Sequence, residues 1–362
     1  MQKLNPNRIL IMKFRNIGDV LLITPLISNL KHHFPNALID IAVNKGTEEM
    51  VTLNPHINDI IIYDRAKIKS MSILKRILEE IKFGLNVRAK KYDIVINTTK
   101  GDRGTQLSLL SNANIKIGYK NLKNRLLKNV FTYNLPNQEL RHTLETNLDA
   151  LRVLNLSIQT KKVEIFWSEE DEKKVHNMLT CKEFIHIHPV SRWLFKCIND
   201  QTMANIIDFC KIELNKEVVL SAAPIKEELD KIDSILKLCK SNPLNLSGKL
   251  TLKQTAILNK KANFFIGVDT AIMHISAANN TPALAFFGPS GADHWGPWDN
   301  ELMKSGYRTR RGNRSMGKHR VIQENWDCVP CGQDGCNGSK ISDCLMNLNM
   351  DIIKNQIRQM NG

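Results

Sequence analysis

Three short segments of the sequence carry residue types that hold phosphate and move protons. HPVSRWLFK (188–196) groups the Ser191 hydroxyl with Arg192 and Lys196, donors suited to a diphosphate. GVDTAIMH (267–274) sets Asp269 and Thr270 where a helix begins, so a hydroxyl and free backbone N–H groups can receive phosphate oxygens. His274 lies one turn further along and reads, on its own, as a structural histidine. In KFRNIGDV (13–20), Asp19 follows Gly18 at an apolar helix start, where a carboxylate either caps the helix or takes a proton. FFGPSGADHW (286–295) is a further glycine turn whose backbone can approach an anion. No G-x-G-x-x-G follows the first apolar run, so a dinucleotide fingerprint is not supported.

Each of these segments directly follows a short apolar run, and that regularity predicts the fold. RILIMK, ALIDIAV, NDIIIY, YDIVIN and IKIGY read as strands within residues 8–119, with helices at 25–33 and 72–82. FIHIHP, EVVLSA, NFFIGV and PALAFFG repeat the theme, with helices at 201–214, 227–240, 252–259 and 270–278. Strands apolar on both faces and alternating with helices imply parallel sheets covered on both sides. The expected class is α/β: two Rossmann-like, doubly wound domains facing across a cleft. In such sheets ligands bind outside the carboxyl ends of strands, where all four segments lie. A long helix over 139–154 closes the first domain. The expected division is 1–168, 169–345 and a helical tail at 346–362.

Composition narrows the class of function. The 362 residues are 42% hydrophobic and 24% charged, as expected of a globular chain long enough for two cores. No apolar stretch is long enough to span a bilayer, and the N-terminus reads as a strand instead of a signal peptide; a cytoplasmic location is expected. Lys and Arg exceed Asp and Glu by 15, with 26 against 16 in residues 1–170 alone. The excess gathers between Arg65 and Lys128, in RAKIKSMSILKR, VRAKK and KNLKNRLLK, a patch that attracts polyanions or an anionic membrane, or is simply a solvated face. Aromatics do not interleave with it, so nucleic acid is not an expected partner. Cys181, Cys197, Cys210 and Cys239 read as small buried residues. Cys328, Cys331, Cys336 and Cys344 fall within 17 residues and could hold a zinc ion, but they have one C-x2-C where the paired pattern has two, so no metal ligand is assigned and zinc binding by the cluster stays open.

Taken in order, ILIMKFRNIGDVLLITP, GTEEM with NPHI, NTTKGDRG, HPVSRWLFK, GVDTAIMH and FFGPSGADHW resemble the family 9 glycosyltransferases, the heptosyltransferases of the lipopolysaccharide inner core. GDRG, SRWLFKC, the M-H of DTAIMH and CVPCGQDGC resemble the heptosyltransferase III branch most. The resemblance implies a GT-B arrangement, with the acceptor on the first domain and the nucleotide sugar on the second. It implies inverting transfer of a heptose from ADP-L-glycero-D-manno-heptose to an inner-core heptose, without metal or bound cofactor. A different activated sugar, or a binding homologue without activity, are the alternatives.

Carried onto this chain, the resemblance makes Asp19 the base. It sets Ser191, Lys196, Glu227, Asp269, Thr270, Ala271 and His274 around the nucleotide, and Arg15, Asn16 and Arg103 around the acceptor. Ala271 stands where many members have Gly, and Glu228 competes with Glu227 for the ribose. Lys13, Arg15 and Lys196 supply the positive charge that keeps the base ionised. The basic patch would then meet an acceptor anchored at the cytoplasmic face of the inner membrane.

Overall fold

The computed structural model describes residues 4–120, 127–137 and 141–361. Part of the basic run KNLKNRLLK, residues 121–126, lies outside them. The chain forms two compact units, Met1–Phe166 and Trp167–Gly362.

In the first unit six parallel strands form one sheet: β1 (Arg8–Lys13), β2 (Leu38–Asn44), β3 (Asp59–Tyr63), β4 (Ile94–Asn97), β5 (Ile115–Gly118) and β6 (Tyr133–Asn134). Their order is β3-β2-β1-β4-β5-β6. The second unit holds β7 (Phe184–His188), β8 (Glu217–Leu220), β9 (Leu244–Asn245), β10 (Phe264–Val268), β11 (Ala283–Phe287), β12 (Arg314–Met316) and β13 (His319–Gln323). Its order is β12-β13-β11-β10-β7-β8-β9, with only β12 antiparallel. Read from β9, the six parallel strands again run 3-2-1-4-5-6. Both units are therefore doubly wound, with winding that reverses between β1 and β4 and between β7 and β10. The crevice at that reversal is where such sheets take ligands.

The central strands fit this position because they are apolar on both faces: Ile9, Leu10, Ile11 and Met12 of β1 are fully buried, as are all of Ala283–Phe287. The covering helices stop in a repeated way. Asn112, Asn155, Asn215 and Asn280 each sit two residues beyond a helical segment with φ of 55°, 54°, 50° and 60°. A short polar side chain tolerates this left-handed turn better than a bulky one.

Two expectations about helices change. The helix expected over 139–154 is two short ones, Thr143–Asn147 and Asp149–Val153, meeting at Leu148; Glu139 itself lies outside the described residues. The His142 imidazole accepts a hydrogen bond from Leu144 N–H at 3.2 Å, and that cap starts the helix at Thr143. Asp102–Leu110 is a helix that apolar periodicity did not mark.

Beneath the first sheet, Asp40 on β2 is fully buried and accepts from Arg8 Nε (3.1 Å), Asn58 Nδ2 (2.8 Å) and the Tyr92 hydroxyl (2.7 Å). Lys90 adds its charge at 3.7 Å, and burial, with this carboxylate next, pushes the Tyr92 phenol up. Removing the anion leaves the Arg8 guanidinium and the Tyr92 phenol without their acceptor, while Lys90 keeps Asp59. Asp40→Ala should therefore cost about 3–5 kcal/mol, read as a fall in the urea unfolding midpoint; an unchanged midpoint would mean that the cluster is solvated.

Candidate functional site

At the first reversal the loops after β1 and β4 are stitched together. Phe14 N–H donates to Thr99 Oγ1 at 3.1 Å, and Thr98 N–H to the Met12 carbonyl at 3.2 Å. Lys13, the last residue of β1, is 3% exposed. Its ammonium lies 3.0 Å from Asn147 Oδ1 and 3.6 Å from Asp19 Oδ1. Asn147 in turn donates to the Leu22 carbonyl at 2.9 Å, so the helix at 143–147 buttresses the β1 loop. Burial lowers the Lys13 pKa, and Asp19 opposes that shift. A charge removed from water is retained only when paired. Here the pair is intramolecular.

The capping alternative for Asp19 does not hold. Asn16 occupies the N-cap of helix Ile17–Leu21 and Asp19 is its third residue, 7% exposed. Its carboxylate has a charge partner in Lys13. Arg15 and Asn16 are exposed on the same loop, as an acceptor site would need. Arg103 stands in the first turn after the β4 loop, its guanidinium 4.3 Å above the Tyr63 ring and its Nε 3.6 Å from Glu80. The Tyr63 hydroxyl donates to the same Glu80, and burial with that bond pushes its pKa up to about 12. Arg103 is thus held in place by an aromatic face and a carboxylate.

At the second reversal the expected residues converge from two adjacent strands. Lys196 follows β7 and Asp269 follows β10; Lys196 Nζ lies 2.6 Å from Asp269 Oδ2. Asp269 is 7% exposed and the Lys196 side chain 23%. Asp269 therefore orients the cation. Ser191, buried, accepts from Trp193 N–H at 3.2 Å and shapes the loop that delivers Lys196. From the C-terminal tail, the buried Ser342 hydroxyl donates to the Phe195 carbonyl at 2.6 Å and pins that loop from below.

Thr270 is the N-cap of helix Ala271–Ala278, yet its hydroxyl makes no cap bond. It is buried and without a hydrogen-bond partner among the described residues. Ala271 opens the helix with ordinary negative φ, so its methyl, where the resemblance implies a glycine, calls for no left-handed backbone and leaves the first N–H groups in place. His274 is buried one turn on. Glu227 is exposed on helix Lys226–Leu238, whereas Glu228 is buried with Oε2 accepting from Ala223 N–H at 2.9 Å. Burial raises the Glu228 pKa. Glu227 is the free carboxylate of the two.

One polar element beside the site was missed in the sequence. On one face of β7, His186 and His188 join a buried polar seam: His186 Nδ1 to Asn259 Oδ1 at 2.7 Å, His186 Nε2 to Ser221 Oγ at 2.6 Å, and His188 Nδ1 to Ser221 Oγ at 2.9 Å. Asn259 Nδ2 donates to the Ile272 carbonyl, which makes its Oδ1 the acceptor and fixes the order of protons along the chain. His186 Nδ1 donates, its Nε2 accepts from Ser221, and Ser221 accepts from His188 Nδ1. Burial lowers His186 to about 4 and His188 to about 3. Beside His188, Gly267 of β10 is required, because a Cβ there would lie 2.9 Å from the His188 carbonyl and run into the Phe265 ring. The alternation FIHIH, polar at every second residue of a buried strand, was the available signal.

The fourth loop uses its backbone differently from the expectation. The carbonyls of Gly288 and Ser290 both accept from Gln323 Nε2 at 2.9 Å, which fixes the turn to β13. In the tail, Cys328 and Cys331 are exposed, Cys336 is half-buried and Cys344 buried, all as free thiols. Among the described residues no three His, Cys, Asp or Glu side chains converge as metal ligands.

Residues 81–323 match the model of the family described as glycosyltransferase family 9 (heptosyltransferase). The chain is similar to lipopolysaccharide heptosyltransferase 3 of Escherichia coli, 31% identical over 294 residues, which covers 79% of this chain and 85% of the relative. Its fold matches the solved family 9 glycosyl transferase of Veillonella parvula with a TM-score of 0.79 at 20% identity, over 99% of this chain and 98% of the other. It also matches the E. coli ADP-heptose lps heptosyltransferase II with a TM-score of 0.74 at 18% identity, over 98% of both chains.

The histidine seam makes stability depend on pH. A histidine whose folded pKa lies below its unfolded value of about 6.5 binds protons more readily unfolded, so its contribution is full above that pH and shrinks as pH falls toward the folded value. His186 and His188 should each remove about 1 kcal/mol per pH unit between roughly pH 6 and pH 4. Urea midpoints measured from pH 7 to pH 4 test this. A profile flat down to pH 5 would contradict buried neutral imidazoles.

Proposed function

The chain belongs to glycosyltransferase family 9 (heptosyltransferase), and we propose that it transfers a heptose from ADP-L-glycero-D-manno-heptose to a heptose of the lipopolysaccharide inner core, with inversion. The observation that carries this reading is the anion site at the second reversal. The Lys196 cation is oriented by Asp269, and the buried Thr270 hydroxyl has no partner of its own. The first N–H groups of helix Ala271–Ala278 complete a setting for a diphosphate. An exposed carboxylate, Glu227, suits a ribose hydroxyl.

In this reading the acceptor belongs to the first unit, with Arg15, Asn16 and Arg103 as its polar and cationic contacts. The Asp19 carboxylate takes the proton of the acceptor hydroxyl. The freed oxygen attacks the anomeric carbon as the bond to ADP breaks, and Lys196 offsets the charge that grows on the departing diphosphate. Lys13 does not touch substrate. It pairs with the Asp19 carboxylate and is itself held in position by Asn147. No metal is assigned a part, and no resident cofactor is needed. The enzyme would work as a peripheral protein on the cytoplasmic face of the inner membrane; no helix among the described residues is long and apolar enough to cross one.

A donor screen with a truncated core acceptor tests the reading. Turnover should require ADP-heptose. Preference for ADP-glucose or a UDP-hexose would point to another sugar, and nucleotide binding without any turnover to an inactive homologue.

Asp19→Asn keeps the shape and a carbonyl oxygen for Lys13 but cannot accept the proton. It should lose some stability, because Lys13 is left without its charge partner, yet fold, bind ADP normally and lose transfer by roughly 10²–10⁴-fold; near-normal turnover would remove Asp19 as the base. For Lys196→Ala both KM for the donor and kcat should worsen, since the cation meets the diphosphate before and during departure. Unaltered donor kinetics would place the diphosphate elsewhere.

A further inference from the structure

Helix Ile73–Ala89 carries an apolar face that the first unit does not cover. Gly84 and Val87 are its buried positions; at Gly84 a Cβ would lie 2.5 Å from Leu110 Cδ1, so the missing side chain lets helix Asp102–Leu110 pack close. Phe83 meets Tyr63 edge-on at 5.3 Å between ring centroids. Away from these anchors stand Leu74, Ile77, Leu78, Ile81 and Leu85, exposed by 77, 51, 64, 48 and 55%. At 3.6 residues per turn these five fall within about 100° of arc, a continuous stripe. Leu109, also exposed, lies on the adjoining helix.

Positive charge borders the stripe. Lys82 and Lys75 follow along one edge and Arg88 lies toward the C-terminal end, while Arg65, Lys67 and Lys69 stand on helix Arg65–Ser70 just before it. These six side chains make no ion pair with any described residue. The most buried cations of the unit are committed, Lys13 to Asp19, Arg8 to Asp40, Arg141 and Arg152 to Asp149, while Arg15, Lys31 and Lys91 also stand outside any ion pair among the described residues but apart from the stripe's helix.

We propose that this helix face docks on an anionic lipid bilayer, lying in the headgroup plane with the leucine–isoleucine stripe inserted and the lysines and arginines against lipid phosphates. An apolar stripe with a basic rim is the pattern of an interfacial helix. A second copy of the chain fits less well, because a two-fold contact through the stripe would set one basic rim against the other. The inference rests on the reading above in one respect only: a membrane-held acceptor gives the docking its use.

The test uses the full chain and vesicles of phosphatidylcholine with or without phosphatidylglycerol. Wild type should co-sediment with the phosphatidylglycerol vesicles and far less with phosphatidylcholine alone. The quadruple variant Ile77→Ser, Leu78→Ser, Ile81→Ser, Leu85→Ser should lose more than about tenfold in vesicle affinity at an unchanged melting temperature, since these side chains already face solvent. Lys75→Gln with Lys82→Gln and Arg88→Gln should weaken binding by several-fold for each charge and abolish the preference for anionic lipid. Equal binding by the serine variant, or none by wild type, overturns the proposal. So does a wild-type dimer that the serine changes convert to monomer without vesicle binding. Transfer to a soluble, truncated core acceptor should be unchanged in the serine variant. Its absence in wild type would count against the functional reading and leave the vesicle result standing on its own.

Discussion

Charge that leaves water has to be paired, and in this protein the pairing occurs where parallel strands end. The strands on either side of each reversal are buried on both faces, apolar in β1 and β10 and with an internally hydrogen-bonded histidine face in β7, so a charged group at their carboxyl ends is surrounded by covered backbone. Lys13 meets Asp19 in one unit and Lys196 meets Asp269 in the other. The two pairs differ in what they free. Lys13 is almost wholly enclosed and also bonded to Asn147, so it serves the carboxylate beside it. Lys196 keeps about a quarter of its side chain exposed, so there the carboxylate serves the cation. One interaction, turned around, suits proton removal at one site and anion binding at the other.

Neutral polar groups obey the same rule more cheaply. The seam from Asn259 to His188 satisfies each buried donor and acceptor along β7 and β8 without stranding a charge, which is why burial holds both imidazoles neutral. It stiffens the strand from which the Lys196 loop departs. From below, Ser342 fixes the same loop, so the C-terminal tail contributes to the site through a single hydroxyl. Against that background the buried Thr270 hydroxyl stands out, since it has no hydrogen-bond partner among the described residues.

The helix at 73–89 follows the opposite logic. It is attached along one side, through Glu80, Phe83, Gly84 and Val87, and leaves its leucines and isoleucines in water. Such exposure is unfavourable for an isolated soluble unit, and the basic rim says what kind of surface would relieve it. The basic excess noted in the sequence is therefore unevenly used. Lys45 and Lys90 are tied to Asp64 and Asp59, while Lys75, Lys82 and Arg88 remain available.

Apolar runs by themselves determined the two doubly wound units, because a strand covered on both faces must be apolar throughout and must alternate with the helices that cover it. The loops bearing Asp19, Lys196 and Asp269 were legible for the same reason: each immediately follows such a run. Where the signal was short or lay off the strand pattern, the sequence was silent or misleading. The helix read over 139–154 breaks at Leu148, and its start is set by the His142 cap and by Asn147 reaching Lys13 from 134 residues away. β13 and the helix Asp102–Leu110 carry too few apolar positions to announce themselves. Only the tertiary structure decided which carboxylate meets which cation, that Glu228 is spent on Ala223 while Glu227 is free, and that the stripe on 73–89 faces outward. Periodicity reports which faces are apolar. What covers each face, and which charge pairs with which, depends on contacts between residues distant in the chain.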